Sequence, residues 1–131
     1  MRKILALALF SPIIAIADPI FLDCEVSSES EKQSFSVSLD ADNGKVTHTH
    51  ESGSAFNADG FFAANTITYQ RFDFTKHIKI TFKYEINRTD LSLNQSVTIE
   101  PIKKKFHKAN PPKTTLSTGI CKISEVSERK I

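Results

Sequence analysis

The chain has 131 residues, 40% hydrophobic and 24% charged, with 17 basic against 15 acidic side chains and only four glycines. This is the length of one domain with a modest core. No glycine-rich loop is present to cradle a phosphate, and the near-even charge balance excludes the strongly basic composition of a nucleic-acid binder.

Arg2 and Lys3 precede an apolar run from Ile4 to Ile16, broken by Ser11 and Pro12, and Ala15-Ile16-Ala17 precedes Asp18. A basic start, a short apolar stretch and small residues at a peptidase site describe a secretory signal peptide over residues 1–17, cleaved after Ala17. A spanning helix needs about 20 apolar residues, and this run is shorter. Cys24 lies several residues past the cleavage point, so lipid attachment is not expected. The mature chain, residues 18–131, has 131 − 17 = 114 residues and is expected free in the periplasm or secreted, with no membrane span.

Loss of Arg2 and Lys3 leaves 15 basic against 15 acidic residues, yet the charges are segregated. Residues 18–59 hold nine acids against Lys32 and Lys45, a net of −7, and the remainder holds 13 bases against six acids, a net of +7. Two readings are open: neutralisation between neighbouring strands, or a bipolar surface for a charged partner.

The mature chain reads as strands. Phe21–Val26 forms the first. Ser34-Phe35-Ser36-Val37-Ser38-Leu39-Asp40 alternates polar and apolar, placing Phe35, Val37 and Leu39 on one face. Asp42-Asn43-Gly44 is a turn, and Lys45–His50 returns antiparallel. Ser54–Ala64, with Phe56, Phe61 and Phe62, reads as a loop with Phe plugs or a helical turn. Thr66–Phe72 is a further strand. Ile78, Ile80, Phe82, Tyr84 and Ile86 then alternate with polar residues in the longest one. After Asn87-Arg88-Thr89-Asp90 the apolar pattern resumes through Leu91, Leu93, Val97 and Ile99 to Pro101. Lys103–Lys113 breaks the alternation as an exposed loop, and a last strand runs from about Leu116 to Ile123.

Cys24 and Cys121 lie at opposite ends of the mature chain, and a lone pair of thiols in an exported protein joins. A bridge requires Cα atoms within about 7 Å, so the first and last strands are neighbours or face each other. The expected fold is all-β: about seven antiparallel strands in a small sandwich or a partly closed barrel, its terminal strands linked by a disulfide.

Four segments carry chemistry. In Thr47-His48-Thr49-His50-Glu51, His48 and His50 are two residues apart on a strand, share one face and are able to chelate one Zn²⁺ or Cu²⁺. The pair resembles the start of the cupin metal motif, whose spaced Glu and second motif with a third His have no counterpart here. The ordinary alternative is two solvated surface histidines. The basic loop, with Lys103, Lys104, Lys105, His107 and Lys108 around Phe106, suits phosphate, an anionic headgroup or an acidic glycan. One aromatic is too few for base stacking, so nucleic acid is not expected as a partner. Asn87-Arg88-Thr89 and Asn94-Gln95-Ser96 match the N-glycosylation triplet. No nucleophile elbow or fixed carboxylate pair is readable, so the reading is non-enzymatic, with a small hydrolase as the third hypothesis.

Tyr84-Glu85-Ile86-Asn87-Arg88-Thr89, followed by Gly119-Ile120-Cys121-Lys122, resembles a pattern in small uncharacterised exported bacterial β-proteins. Those end a strand in Tyr-x-Ile-Asp-Arg-Thr and close with a Gly-x-Cys strand; here Asn87 stands in place of Asp. The resemblance implies a β-sheet with a terminal disulfide and no activity. The leading expectation is a monomeric, exported binding module for a protein or envelope component. The alternative is metal handling by His48 and His50.

Overall fold

The structure, a computed structural model, describes residues 19–28 and 31–124; the signal peptide expected over residues 1–17 lies outside them. Nine strands form: β1 (Ile20–Ser27), β2 (Lys32–Asp40), β3 (Lys45–His50), β4 (Ala55–Asp59), β5 (Phe61–Phe62), β6 (Thr66–Phe74), β7 (Ile78–Asn87), β8 (Ser92–Pro101) and β9 (Lys113–Ile123). All pairs are antiparallel, in the order β4-β3-β2-β1-β9-β8-β7-β6-β5. β4 and β5 are separated by Gly60 alone, so the two ends of this sheet are one bent strand and the sheet wraps into a nearly closed barrel. The barrel alternative is borne out over the sandwich.

The expected loop at Ser54–Ala64 is instead β4 and β5, which raises the strand count above seven. Gly60 permits the corner between them. A Cβ there would lie 2.6 Å from Val46 Cγ2 and 2.8 Å from Phe62 Cε1, so no larger residue fits without displacing the wall. β5 pairs with β6 at only two positions, Phe61 with Thr68 and Phe62 with Ile67. Beyond them β4 and β6 diverge, leaving a seam that side chains cross: the Phe56 and Tyr69 rings are 6.3 Å apart, and the Arg71 guanidinium lies 5.2 Å from the Phe56 ring centre.

The opposite wall is covalently closed. Cys24 and Cys121 are direct partners in the β1–β9 ladder, with Cα atoms 4.0 Å apart and the sulfurs bonded. Two positions earlier on β9, Gly119 is forced by the same close approach. A Cβ there would overlap the Glu25 carbonyl oxygen and sit 2.9 Å from Val26 Cα.

Alternation along each strand decides what fills the barrel. Leu22, Val37, Leu39, Val46, Ile67, Ile86 and Leu93 point inward at one end and are all buried. They plug that end, where the β2–β3 and β7–β8 turns also lie. Asn87 builds the latter turn as the sequence suggested: its Oδ1 accepts from the Thr89 and Asp90 backbone N–H groups. Leu91, assigned to the next strand by its apolarity, sits in the turn at φ 62°. At the other end lie the β1–β2, β3–β4, β6–β7 and β8–β9 connections, described at residues 28, 31, 51–54, 75–77 and 102–112. Among the described residues no helix is long and apolar enough to cross a membrane.

The segregated halves become two sides of the barrel, β1–β4 acidic and β5–β9 basic. The ion pairs found among the described residues, Lys32–Glu25, Lys45–Asp59, Arg71–Asp73 and His107–Glu100, each lie within one half.

Candidate functional site in the barrel mouth

Above the apolar plug the inward positions turn aromatic. Phe35 on β2, His48 on β3, Phe56 on β4, Tyr69 on β6 and Tyr84 on β7 form a cross-layer of rings. His48 is stacked between Phe35 and Phe56, with centroids at 4.2 and 4.8 Å and both interplanar angles 17°. Tyr69 stacks on Tyr84 at 4.8 Å. Each polar edge is partnered: His48 Nδ1 shares a 2.8 Å hydrogen bond with the Tyr69 hydroxyl, and Gln95 Nε2 donates to the Tyr84 hydroxyl at 3.4 Å.

The electrostatics follow from burial. His48 is 1% exposed. Desolvation, helped by His50 and the Arg71 cation, lowers its pKa from 6.5 to about 3 and keeps the ring neutral. Burial likewise raises Tyr69 well above its ordinary value, with Tyr84 adding to the effect, and raises Tyr84 itself.

The Phe35, His48 and Tyr84 rings of this layer floor a cavity of about 810 Å³ open at the loop-bearing end. Such a volume falls in the range of about 300–1,000 Å³ typical of small-molecule sites. Val26, Phe82 and Val97 provide apolar wall, whereas Arg71, Gln95, Thr115 and Ser117 bring polar groups. Lys32, His50, Glu31 and Glu51 also line it. Arg71 is the most constrained of these. Its guanidinium lies 4.3 Å from the Phe82 ring centre, and Nη1 donates to both Asp73 oxygens at 2.6 and 2.7 Å. Its Nε is buried with no hydrogen-bond partner, the one such side-chain nitrogen or oxygen among the described residues. A buried donor left in that condition costs about 1–3 kcal/mol.

The sequence candidates divide around this mouth. His48 and His50 do share a face, with ring centroids 4.8 Å apart, but it is the inward one. They are not the solvated surface pair of the ordinary alternative: His48 is buried and His50 half-buried. With Nδ1 committed to Tyr69, His48 has only Nε2 left for a metal. No group of three or more His, Cys, Asp or Glu side chains suited to a metal occurs among the described residues. The basic loop is exposed, as expected, except that Lys113 opens β9. Lys104–Phe106 makes a single 3-10 turn, and His107 Nε2 bonds the Pro101 carbonyl oxygen at 2.8 Å. Lys103, Lys104, Lys105 and Lys108 therefore stand on the rim of the mouth. Among the described residues the turns of that rim carry five lysines (with Lys76) against Glu31 and Glu51.

Arg71, Gln95, Tyr69 and Tyr84 were missed as site residues. The available signal was a polar residue at a position that strand alternation assigns to the inside. Arg71 follows Ile67 and Tyr69 in that series, and Gln95 falls between Leu93 and Val97.

No family model, curated protein or solved structure matches the chain.

Proposed function

We propose that the protein is an exported, non-enzymatic binding module that takes a component of its surroundings into the open end of the barrel. The observation that carries this reading is the cavity of about 810 Å³, floored by aromatic rings and edged by a few polar groups. With β4 and β5 counted as one bent strand the wall has eight strands, and a barrel of about eight strands encloses space for one small ligand. Here the plug fills one end and leaves the other to a guest. The buried disulfide suits an oxidising compartment.

Filling the mouth tests the reading. Ser117→Trp and Thr115→Trp replace small cavity-lining residues of β9, so each should keep the unfolding temperature and reduce ligand capture from envelope extract, followed by native mass spectrometry. Capture equal to that of the parent protein by both variants would refute it.

Metal handling is the second reading, favoured by the 4.8 Å approach of the His48 and His50 rings. It requires Zn²⁺ or Cu²⁺ to raise the unfolding temperature, and His48→Ala with His50→Ala to remove that rise. A temperature unmoved by either ion would eliminate it.

A further inference from the structure

We infer that the guest is an organic carboxylate on a flat apolar body, and that Arg71 is the residue that holds its oxyanion. The inference rests on the barrel-mouth reading and assigns the ligand chemistry to it.

The first argument is the edge of the guanidinium that no protein group occupies. Asp73 is held by Nη1 alone, through both of its oxygens. Nη1 is the terminal nitrogen on the Cδ side, so the Nε–H and Nη2–H edge points the other way. Those two parallel N–H groups match the two oxygens of a carboxylate. Nε is also the buried donor left without a partner. A folded protein rarely leaves such a group unpaired, and an unpaired donor at the wall of a cavity marks where an acceptor belongs.

The second argument is orientation. Phe82 and Phe56 lie at 4.3 and 5.2 Å from the Arg71 guanidinium carbon. With Asp73 they fix the plane of the group before a ligand arrives, which lowers the cost of ordering it on binding. The third is the body of the cavity. Phe35, Phe82 and Tyr84 line it with ring surface, and Val26 and Val97 add apolar area. A flat apolar scaffold covers these walls while its carboxylate reaches Arg71.

Charge points to a monoanion. Among the described residues the mouth turns carry five lysines against Glu31 and Glu51, a net positive rim that attracts anions toward the opening, while the two glutamates line the cavity beside Lys32 and Arg71. Inside, Asp73 already offsets Arg71, so a doubly charged phosphate ester meets more repulsion than a carboxylate does.

The test is titration of residues 18–131 with 2-naphthoate, 2-naphthalenemethanol and 2-naphthylmethylamine, three probes of one scaffold that differ in head group. Naphthoate should bind at least about tenfold tighter than the alcohol, with the amine weakest, and Arg71→Gln should bring naphthoate down to the level of the alcohol. The Arg71 Nε–H resonance of the unmodified protein supplies a measurement that does not depend on a variant. It should move downfield with naphthoate and stay in place with the alcohol. Equal affinity for naphthoate and the alcohol, or an Nε–H resonance unmoved by bound naphthoate, overturns the carboxylate assignment and leaves the mouth as a binding site. Failure of all three probes, together with unchanged capture by the mouth-filling variants, overturns both.

Discussion

Acidification from pH 7 to pH 5 should destabilise this protein through one side chain, His48. The folded chain holds the ring neutral, with a pKa of about 3 against 6.5 for a solvated imidazole in the unfolded chain. Because the folded value is the lower one, protons favour the unfolded state. The stabilisation is complete above pH 6.5 and declines as pH falls toward 3. One pKa unit is about 1.4 kcal/mol, and the 1.5 units between 6.5 and pH 5 give a loss of about 2 kcal/mol, or roughly 10 °C in unfolding temperature for a domain of this size. Nothing beside the ring offsets the charge: it faces Phe35, Phe56, Tyr69, Tyr84, His50 and the Arg71 cation. The window lies above the range where carboxylates titrate. Urea unfolding at half-unit pH steps measures the slope, and His48→Phe, which keeps the stack with Phe35 and Phe56, should flatten it. If that variant fails to fold, the His48 ring protons followed by NMR should report a neutral imidazole throughout the window. Parallel pH slopes for parent and variant, or a ring protonated at pH 5, would refute the reasoning.

Replacing Cys24 and Cys121 together by Ala should cost roughly 4 to 5 kcal/mol, because the bridge closes a loop of sequence separation 97; a loss below about 1 kcal/mol in denaturant unfolding would contradict that estimate. Gly119→Ala should part β1 from β9 around Val26, exposing the Glu25–Ile120 region to rapid amide exchange, since the added carbon overlaps the Glu25 carbonyl. Normal protection there would show that the close approach is not a constraint. Exchange of Lys103, Lys104, Lys105 and Lys108 for Glu should abolish capture of the envelope partner at an unchanged unfolding temperature, these side chains being exposed on the rim. Unchanged capture would remove the basic loop from the site.

Much of the architecture was legible because strand period and burial agree. Phe35, Val37 and Leu39 alternate without a fault and all three are buried. The Cys24 and Cys121 pair requires the end strands to be neighbours or to face each other, and the two residues are direct ladder partners. β4 was not read, although Phe56 and Ala58 alternate with Asn57 and Asp59. Its composition lacks the β-branched residues that mark a strand, and its pairing with β3 depends on a corner at Gly60 that no local pattern announces. The site was less legible for a different reason. Inward polar residues interrupt the apolar period, so Arg71 and Gln95 read as flaws in strands. Only closure of the sheet shows that β6 and β8 aim them into one chamber. The His pair was legible as a shared face, but the identity of that face depended on register with Phe35 and Phe56.

The two sides of the wall differ in how they are held. Opposite the mouth's Arg71, a covalent bond and a continuous ladder bind β1 to β9, while the β4–β6 seam is spanned by the Phe56, Tyr69 and Arg71 side chains. The barrel therefore has a spine and a clasp. Spreading the clasp would sacrifice ring contacts and leave the backbone ladders whole. The guanidinium that completes the clasp also lines the cavity, so one residue belongs both to the seam and to the mouth.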